Sequence, residues 1–143
     1  MRVIIGCDHA GYDHKVSVKT YLKNNNIKYE DIGTDSCDSV DYPDYAHAVA
    51  KEVQKDLKSR GVLVCGSANG VAITANKHKG IRAAICWNEE TARLAATHND
   101  ANIICIPARF ISLDIQRKIL DNFFKSEFEG GRHKKRVEKI DLD

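Results

Sequence analysis

Five short apolar runs rich in β-branched residues recur along the chain, at Val3–Ile5, Ile27–Ile32, Gly61–Cys65, Ile81–Cys86 and Ile103–Ile106. Between them the apolar positions fall three or four apart, the spacing of a helix face. Val16, Tyr21 and Leu22 mark a helix over Tyr12–Asn25, and Ala46, Val49, Ala50, Val53 and Leu57 mark one over Pro43–Ser59. Three more are predicted over Asn69–Lys77, Glu89–His98 and Ile111–Phe124. Strand then helix, repeated with short connections, predicts a parallel sheet covered on both faces. With right-handed crossovers this is an α/β fold, a three-layer α/β/α sandwich with a five-stranded parallel Rossmann-like sheet. After Gly130-Gly131 the chain reads as a short charged helix whose only apolar residues are Val137, Ile140 and Leu142. Residues 130–143 are therefore expected to pack on a partner subunit.

With 143 residues, 43% of them hydrophobic and 29% charged, the chain has the balance of one soluble domain over 1–143. No apolar run approaches the ~18 residues of a membrane span, and no signal-peptide pattern opens the sequence, so a cytoplasmic protein is expected. The net charge of +2 is too small for nucleic-acid binding by bulk electrostatics. Its placement says more. Acids and bases cancel up to Glu129. The excess comes from Arg132, Lys134, Lys135, Arg136 and Lys139 against Glu138, Asp141 and Asp143. So short a basic segment suits one small anion; a solvated face is the alternative.

Five cysteines at wide spacing, Cys7, Cys37, Cys65, Cys86 and Cys105, with no CxxC, indicate neither a disulfide framework nor a zinc cluster. Ligands of open α/β sheets bind beyond the carboxyl ends of the strands. That rule selects Gly6-Cys7-Asp8-His9-Ala10-Gly11, Gly33-Thr34-Asp35, Cys65 to Gly70, Trp87-Asn88-Glu89 and Pro107-Ala108-Arg109. In the third of these, two glycines bracket Ser67-Ala68-Asn69 where a helix starts, so backbone N–H groups converge as an anion nest. The Walker A, GxGxxG and C-x5-R phosphate motifs are all absent. Cys65, at a helix N-terminus, is expected to have a lowered pKa and to serve as nucleophile or general base; a buried strand-end thiol is the other reading.

Asp8 and His9 read as sugar contacts or as a loop-capping Asp with an exposed His. His98 sits where a helix C-terminus ordinarily carries a cation. Asp41-Tyr42-Pro43-Asp44 is a helix start by rule, with Tyr42 able to reach the site. Asp41, Asp44 and His47 lack a recognised metal spacing, and no metal site is read. His14, Lys77 and His78 read as solvated surface.

Six segments in order and spacing, GCDHAG at 6–11, DYPDYA at 41–46, GVLVCGSANGVAITANK at 61–77, GIRAAIC at 80–86, HNDAN at 98–102 and GGRHKKRVEKI at 130–140, resemble the type B ribose-5-phosphate isomerase family, related to galactose-6-phosphate isomerase. The resemblance implies a cofactor-free aldose–ketose isomerase acting through an enediolate. It makes Cys65 the general base and His98 the ring-opening residue. Asp8, His9 and Asn99 become sugar contacts, beside Tyr42 if it reaches the site from its helix start, and Gly66, Ser67, Ala68, Asn69 and Gly70 hold the enediolate oxygens. Arg109, Arg132 and Arg136 become sugar and phosphate contacts. It also implies a homodimer or homotetramer whose sites are built from two subunits.

Two departures bear on the chemistry. Ala68 stands where family loops commonly carry Gly, at a cost of about 1 kcal/mol if the position needs positive φ. Val71 stands where some relatives carry a glutamate base, which leaves Cys65 for that role. Galactose-6-phosphate isomerase uses two different subunits, one without the cysteine, so a complete set in one chain points to the pentose phosphate. A six-carbon substrate, allose or galactose 6-phosphate, and a non-catalytic sugar-phosphate-binding module are the alternatives.

Overall fold

The computed structural model describes residues 1–142; Asp143, the last acid of the basic tail, lies outside the described residues. Five strands, β1 (Arg2–Cys7), β2 (Lys28–Asp31), β3 (Arg60–Cys65), β4 (Ala83–Ile85) and β5 (Ile103–Pro107), alternate with helices α1 (Tyr12–Asn24), α2 (Tyr42–Lys55), α3 (Asn69–Ala75), α4 (Glu89–Thr97) and α5 (Leu113–Lys125). A last helix, α6 (Arg132–Val137), follows the glycine pair. Every strand pairing is parallel, in the order β2-β1-β3-β5-β4, so the expected α/β/α sandwich is observed. None of the described helices is long and apolar enough to cross a membrane.

The alternating residues of the central strands feed two separate cores. Val3, Ile5, Val62, Val64, Ile104 and Ile106 face α1, α4 and α5, while Ile4, Leu63, Ile103 and Cys105 face α2 and α3. Each buried Leu or Ile contributes about 1.5–3 kcal/mol. This division has a functional consequence. The connection leaving β1 turns onto one face through α1, and the one leaving β3 turns onto the other through α3. Their loops therefore part above two neighbouring strands and leave a crevice there.

Helix starts follow local chemistry. Asn88 caps α4 in a reciprocal box with Thr91, and Ser112 Oγ accepts from Ile115 N at the start of α5. Pro43 lies in the first turn of α2, but Asp41, its N-cap residue, makes no side-chain capping bond. Two expectations need correction. The second helix ends at Lys55, because Asp56 leaves helical geometry, and Leu57 is exposed beyond it. On α1 the buried face is Lys15, Val18, Tyr21 and Leu22, with Val16 outside. Lys15 is tolerated inside because its Nζ pairs with Asp31 Oδ1 at 2.9 Å and donates to the Thr34 carbonyl.

Candidate active site

The crevice is lined by the two loops richest in polar chemistry. Beyond β1, a 3-10 turn spans His9–Gly11, and Asp8 holds it by accepting from Gly11 N through Oδ1 at 3.1 Å. The other oxygen, Oδ2, lies 3.2 Å from Cys65 Sγ and accepts the thiol proton. The loop-capping reading of Asp8 holds through Oδ1, and Oδ2 faces the thiol. Gly11 is fixed by space, since a Cβ there would lie 2.4 Å from the Val64 carbonyl oxygen. Around the same turn, Cys7 N donates to the Gly33 carbonyl and Thr34 N donates to the Cys7 carbonyl. His9 Nδ1 accepts from Val40 N at 3.2 Å, which puts the ring proton of the neutral imidazole on Nε2.

Cys65 ends β3 at 8% exposure, and Asp8 beside it is 6% exposed. The expected lowering of its pKa is not what the structure shows. Burial and the Asp8 carboxylate push the thiol up to about 11, against the backbone N–H groups of Gly66 and Ala68, which act the other way. A helix N-terminus is outweighed by desolvation and a carboxylate at contact distance. In the resting protein Cys65 is a thiol that donates to Asp8.

Ala68 takes the left-handed conformation, φ 66°, as the N-cap residue of α3. The strain, about 1–2 kcal/mol for a residue with a Cβ, is partly offset because its methyl is fully buried against the α2–α3 core. Ser67 Oγ accepts from Asn69 N, and both residues face solvent at the loop rim. The loop after β5 runs alongside, with Ala108 N donating to the Cys65 carbonyl and Arg109 N to that of Gly66. The Arg109 side chain consequently lies across Gly66, and the Tyr42 ring lies across Gly70. The crevice thus gathers Asp8, His9, Tyr42, Cys65, the Gly66–Gly70 loop and Arg109.

His98, Asn99, Arg132 and Arg136 are elsewhere. α4 runs antiparallel to the strands, so its C-terminal His98 sits near the start of β5, whereas Cys65 is level with Pro107 at the end of that strand. Gly61 pairs with Ile103 and Cys65 with Pro107, a register span of four residues, or about 13 Å of solid sheet. At that far end His98, Asn99, Arg132, Arg136, Val137 and Ile140 line a cleft of about 480 Å³. His133, which the sequence reading passed over, is buried there and stacks on His98 with ring centroids 4.0 Å apart. Its only signal in the sequence is its place between the arginines of the basic segment. The tail also bonds to its own chain through Asp141, which accepts from Gly80 N, although Leu142 is left 87% exposed.

Four of the five cysteines are buried and none is paired; Cys37 is exposed. His78, read as solvated surface, meets the exposed His47 at 2.7 Å. Burial and His47 lower the His78 pKa.

The family model for Ribose/Galactose Isomerase matches residues 3–140. The ribose-5-phosphate isomerase B of Escherichia coli is 37% identical over 139 residues, covering 97% of this chain and 93% of its own. A ribose 5-phosphate isomerase from Thermotoga maritima superposes with a TM-score of 0.95 at 44% identity, covering 98% and 97% of the two chains. That of Mycoplasma genitalium, solved with bound ribulose-5-phosphate, gives 0.95 at 40% identity over 97% and 93%. With its fold and residues 3–140 matched in this way, the chain belongs to the ribose/galactose isomerase family and is an enzyme of the ribose-5-phosphate isomerase B type.

Proposed function

We propose that the protein interconverts ribose 5-phosphate and ribulose 5-phosphate through an enediolate, with Cys65 as the general base, as a cytoplasmic step of pentose phosphate metabolism. The observation that carries this reading is the Cys65–Asp8 pair, 3.2 Å apart in the crevice beside the N–H groups of the Gly66–Gly70 loop. The bound ribulose-5-phosphate of the Mycoplasma genitalium relative supports the substrate class.

In the open-chain aldose, the Cys65 thiolate takes the proton from C2 and returns it to C1. The hydroxyl proton moves from O2 to O1, so the net reaction needs no cofactor. Charge developing on the two oxygens falls to the loop N–H groups, each worth about 10²–10³ in rate when so placed. Asp8 and the Nε2–H of His9 hold sugar hydroxyls. When a hydroxyl satisfies Asp8, its carboxylate opposes the thiolate less, so substrate binding itself draws the base toward its working form. Arg132 and Arg136 hold the non-reacting phosphate and convert its binding energy into positioning.

For His98 to open the ring of the same sugar, it must come from a second copy, because the sheet separates it from Cys65 within one chain. We therefore place residues 1–143 as one isomerase domain that works as a homodimer or homotetramer, with the 130–143 segment against the partner. The exposed apolar rim of the crevice, Tyr42, Ile73, Trp87 and Phe110, the last 74% exposed, supports a covering subunit.

Cys65→Ala is expected to lower turnover of ribose 5-phosphate by roughly 10²–10⁴-fold; near wild-type turnover would remove the base assignment. Mixing Cys65→Ala chains with His98→Asn chains tests the shared site. Random dimers would be half heterodimers with one intact site in two, restoring about a quarter of full activity. No recovery after verified subunit exchange would place the site within one chain.

A further inference from the structure

The far-end cleft contains a donor set of which the isomerase reading uses only His98. One ligand atom each from His98, Glu129 and His133 lie within 4.8 Å of one another, and His98 Nε2 is 3.4 Å from Glu129 Oε1. The three side chains come from fixed backbone. His98 N donates to Leu94 O at the end of α4, Glu129 N donates to Thr97 O, and His133 N donates to Gly130 O. The His133 ring, 8% exposed, is pinned against His98 with 17° between the ring planes.

We propose that His98, Glu129 and His133 form a binding site for a first-row divalent transition metal of the Zn²⁺ or Co²⁺ class. Two imidazoles and one carboxylate are a donor set for such ions, with metal–ligand distances of about 2.0–2.2 Å and the remaining positions left to water. Convergence from the present spacing needs side-chain shifts of roughly 1 Å. It also needs the stacked rings to splay, because a metal lies in the plane of each imidazole it binds. The carboxylate of Glu129 supplies the one negative charge among the ligands. Arg132 and Arg136 line the same cleft and oppose a cation, and Arg93 on α4 also senses Glu129. The site is thus weaker than a dedicated structural zinc site and fills only when metal is in excess.

Occupancy ties up Nε2 of His98. On the reading that this atom serves ring opening, the metal is an inhibitor; that consequence rests on the proposed function, whereas the site itself does not.

The test is titration of the full chain with Co²⁺ near neutral pH, followed by visible absorption. The expected result is one Co²⁺ per chain with d–d bands, no thiolate-to-cobalt charge transfer, and affinity weakened at least about tenfold by Glu129→Gln and by His133→Asn. Absence of binding, a thiolate band, or unchanged affinity in both variants would overturn the site. Isomerase activity measured in the same titration should fall with occupancy in the wild type and resist Co²⁺ in Glu129→Gln. Ligand-dependent binding without inhibition would uphold the metal site and overturn the assignment of His98 to ring opening.

Discussion

The acidity of Cys65 is set by a neighbour that can be changed without touching the sulfur. Burial and Asp8 hold the thiol at about 11, and the contact is a thiol donating to a carboxylate at 3.2 Å. A hydrogen bond to a charged acceptor is worth about 1.5–3 kcal/mol, and each pKa unit corresponds to about 1.4 kcal/mol. Asp8→Asn should therefore lower the thiol by about one to two units. At pH 8 the thiolate fraction would rise from roughly 0.1% to about 1–10%. Nucleophilicity falls as the thiol becomes more acidic, with a Brønsted coefficient near 0.5, so alkylation should quicken by about three- to tenfold rather than in full proportion. Iodoacetamide labelling against pH, in a Cys37→Ser background to remove the exposed cysteine, reads this directly. On the proposed mechanism isomerisation should fall in the same variant, because Asp8 there holds a sugar hydroxyl. Labelling that is no faster than in the parent, or a midpoint at or above it, would refute the account of the pair.

Gly11→Ala is expected to destabilise the fold by about 2–3 kcal/mol in urea titration, because its methyl would meet the Val64 carbonyl oxygen at 2.4 Å on a strand paired on both sides; an unchanged midpoint would show that the turn yields freely. Alkaline pH should weaken the protein. Burial pushes Cys7 to about 11 and Cys86 to about 12, above the ~8.5 of a free thiol. The stability this provides is full below the unfolded-state pKa and is lost as pH rises through the folded values. Over the ~2.5 units between pH 8.5 and pH 11 the loss is at most about 3.5 kcal/mol per thiol, and unfolding free energies that stay level from pH 8 to pH 11 would contradict it.

The parts of the molecule legible in the sequence are those governed by local rules. Apolar β-branched runs and helical spacing placed five strands and five helices, and the strand-end rule selected the loops that meet in the crevice. Missing from that pattern is anything decided by a partner distant in sequence. Lys15 cannot be recognised as buried until Asp31 and the Thr34 carbonyl are brought to its ammonium. The upward shift of Cys65 comes from burial in the folded chain and from a carboxylate 57 residues earlier, neither of which a helix-terminus argument has means of weighing.

The same limit governs the division of the site. His98 follows a helix and Cys65 follows a strand, and in an α/β fold those two positions lie at opposite ends of the sheet. Motif spacing alone places both in one list of polar residues, and only the antiparallel course of α4 against β5 separates them. A sugar cannot reach across packed sheet, so the topology makes association of two chains a requirement of any reaction using both residues. This argument from chain direction is independent of the apolar rim around the crevice. The rim would suit any covering surface, whereas the direction of α4 requires, for a reaction that uses both residues, that the covering surface bring the far end of another copy.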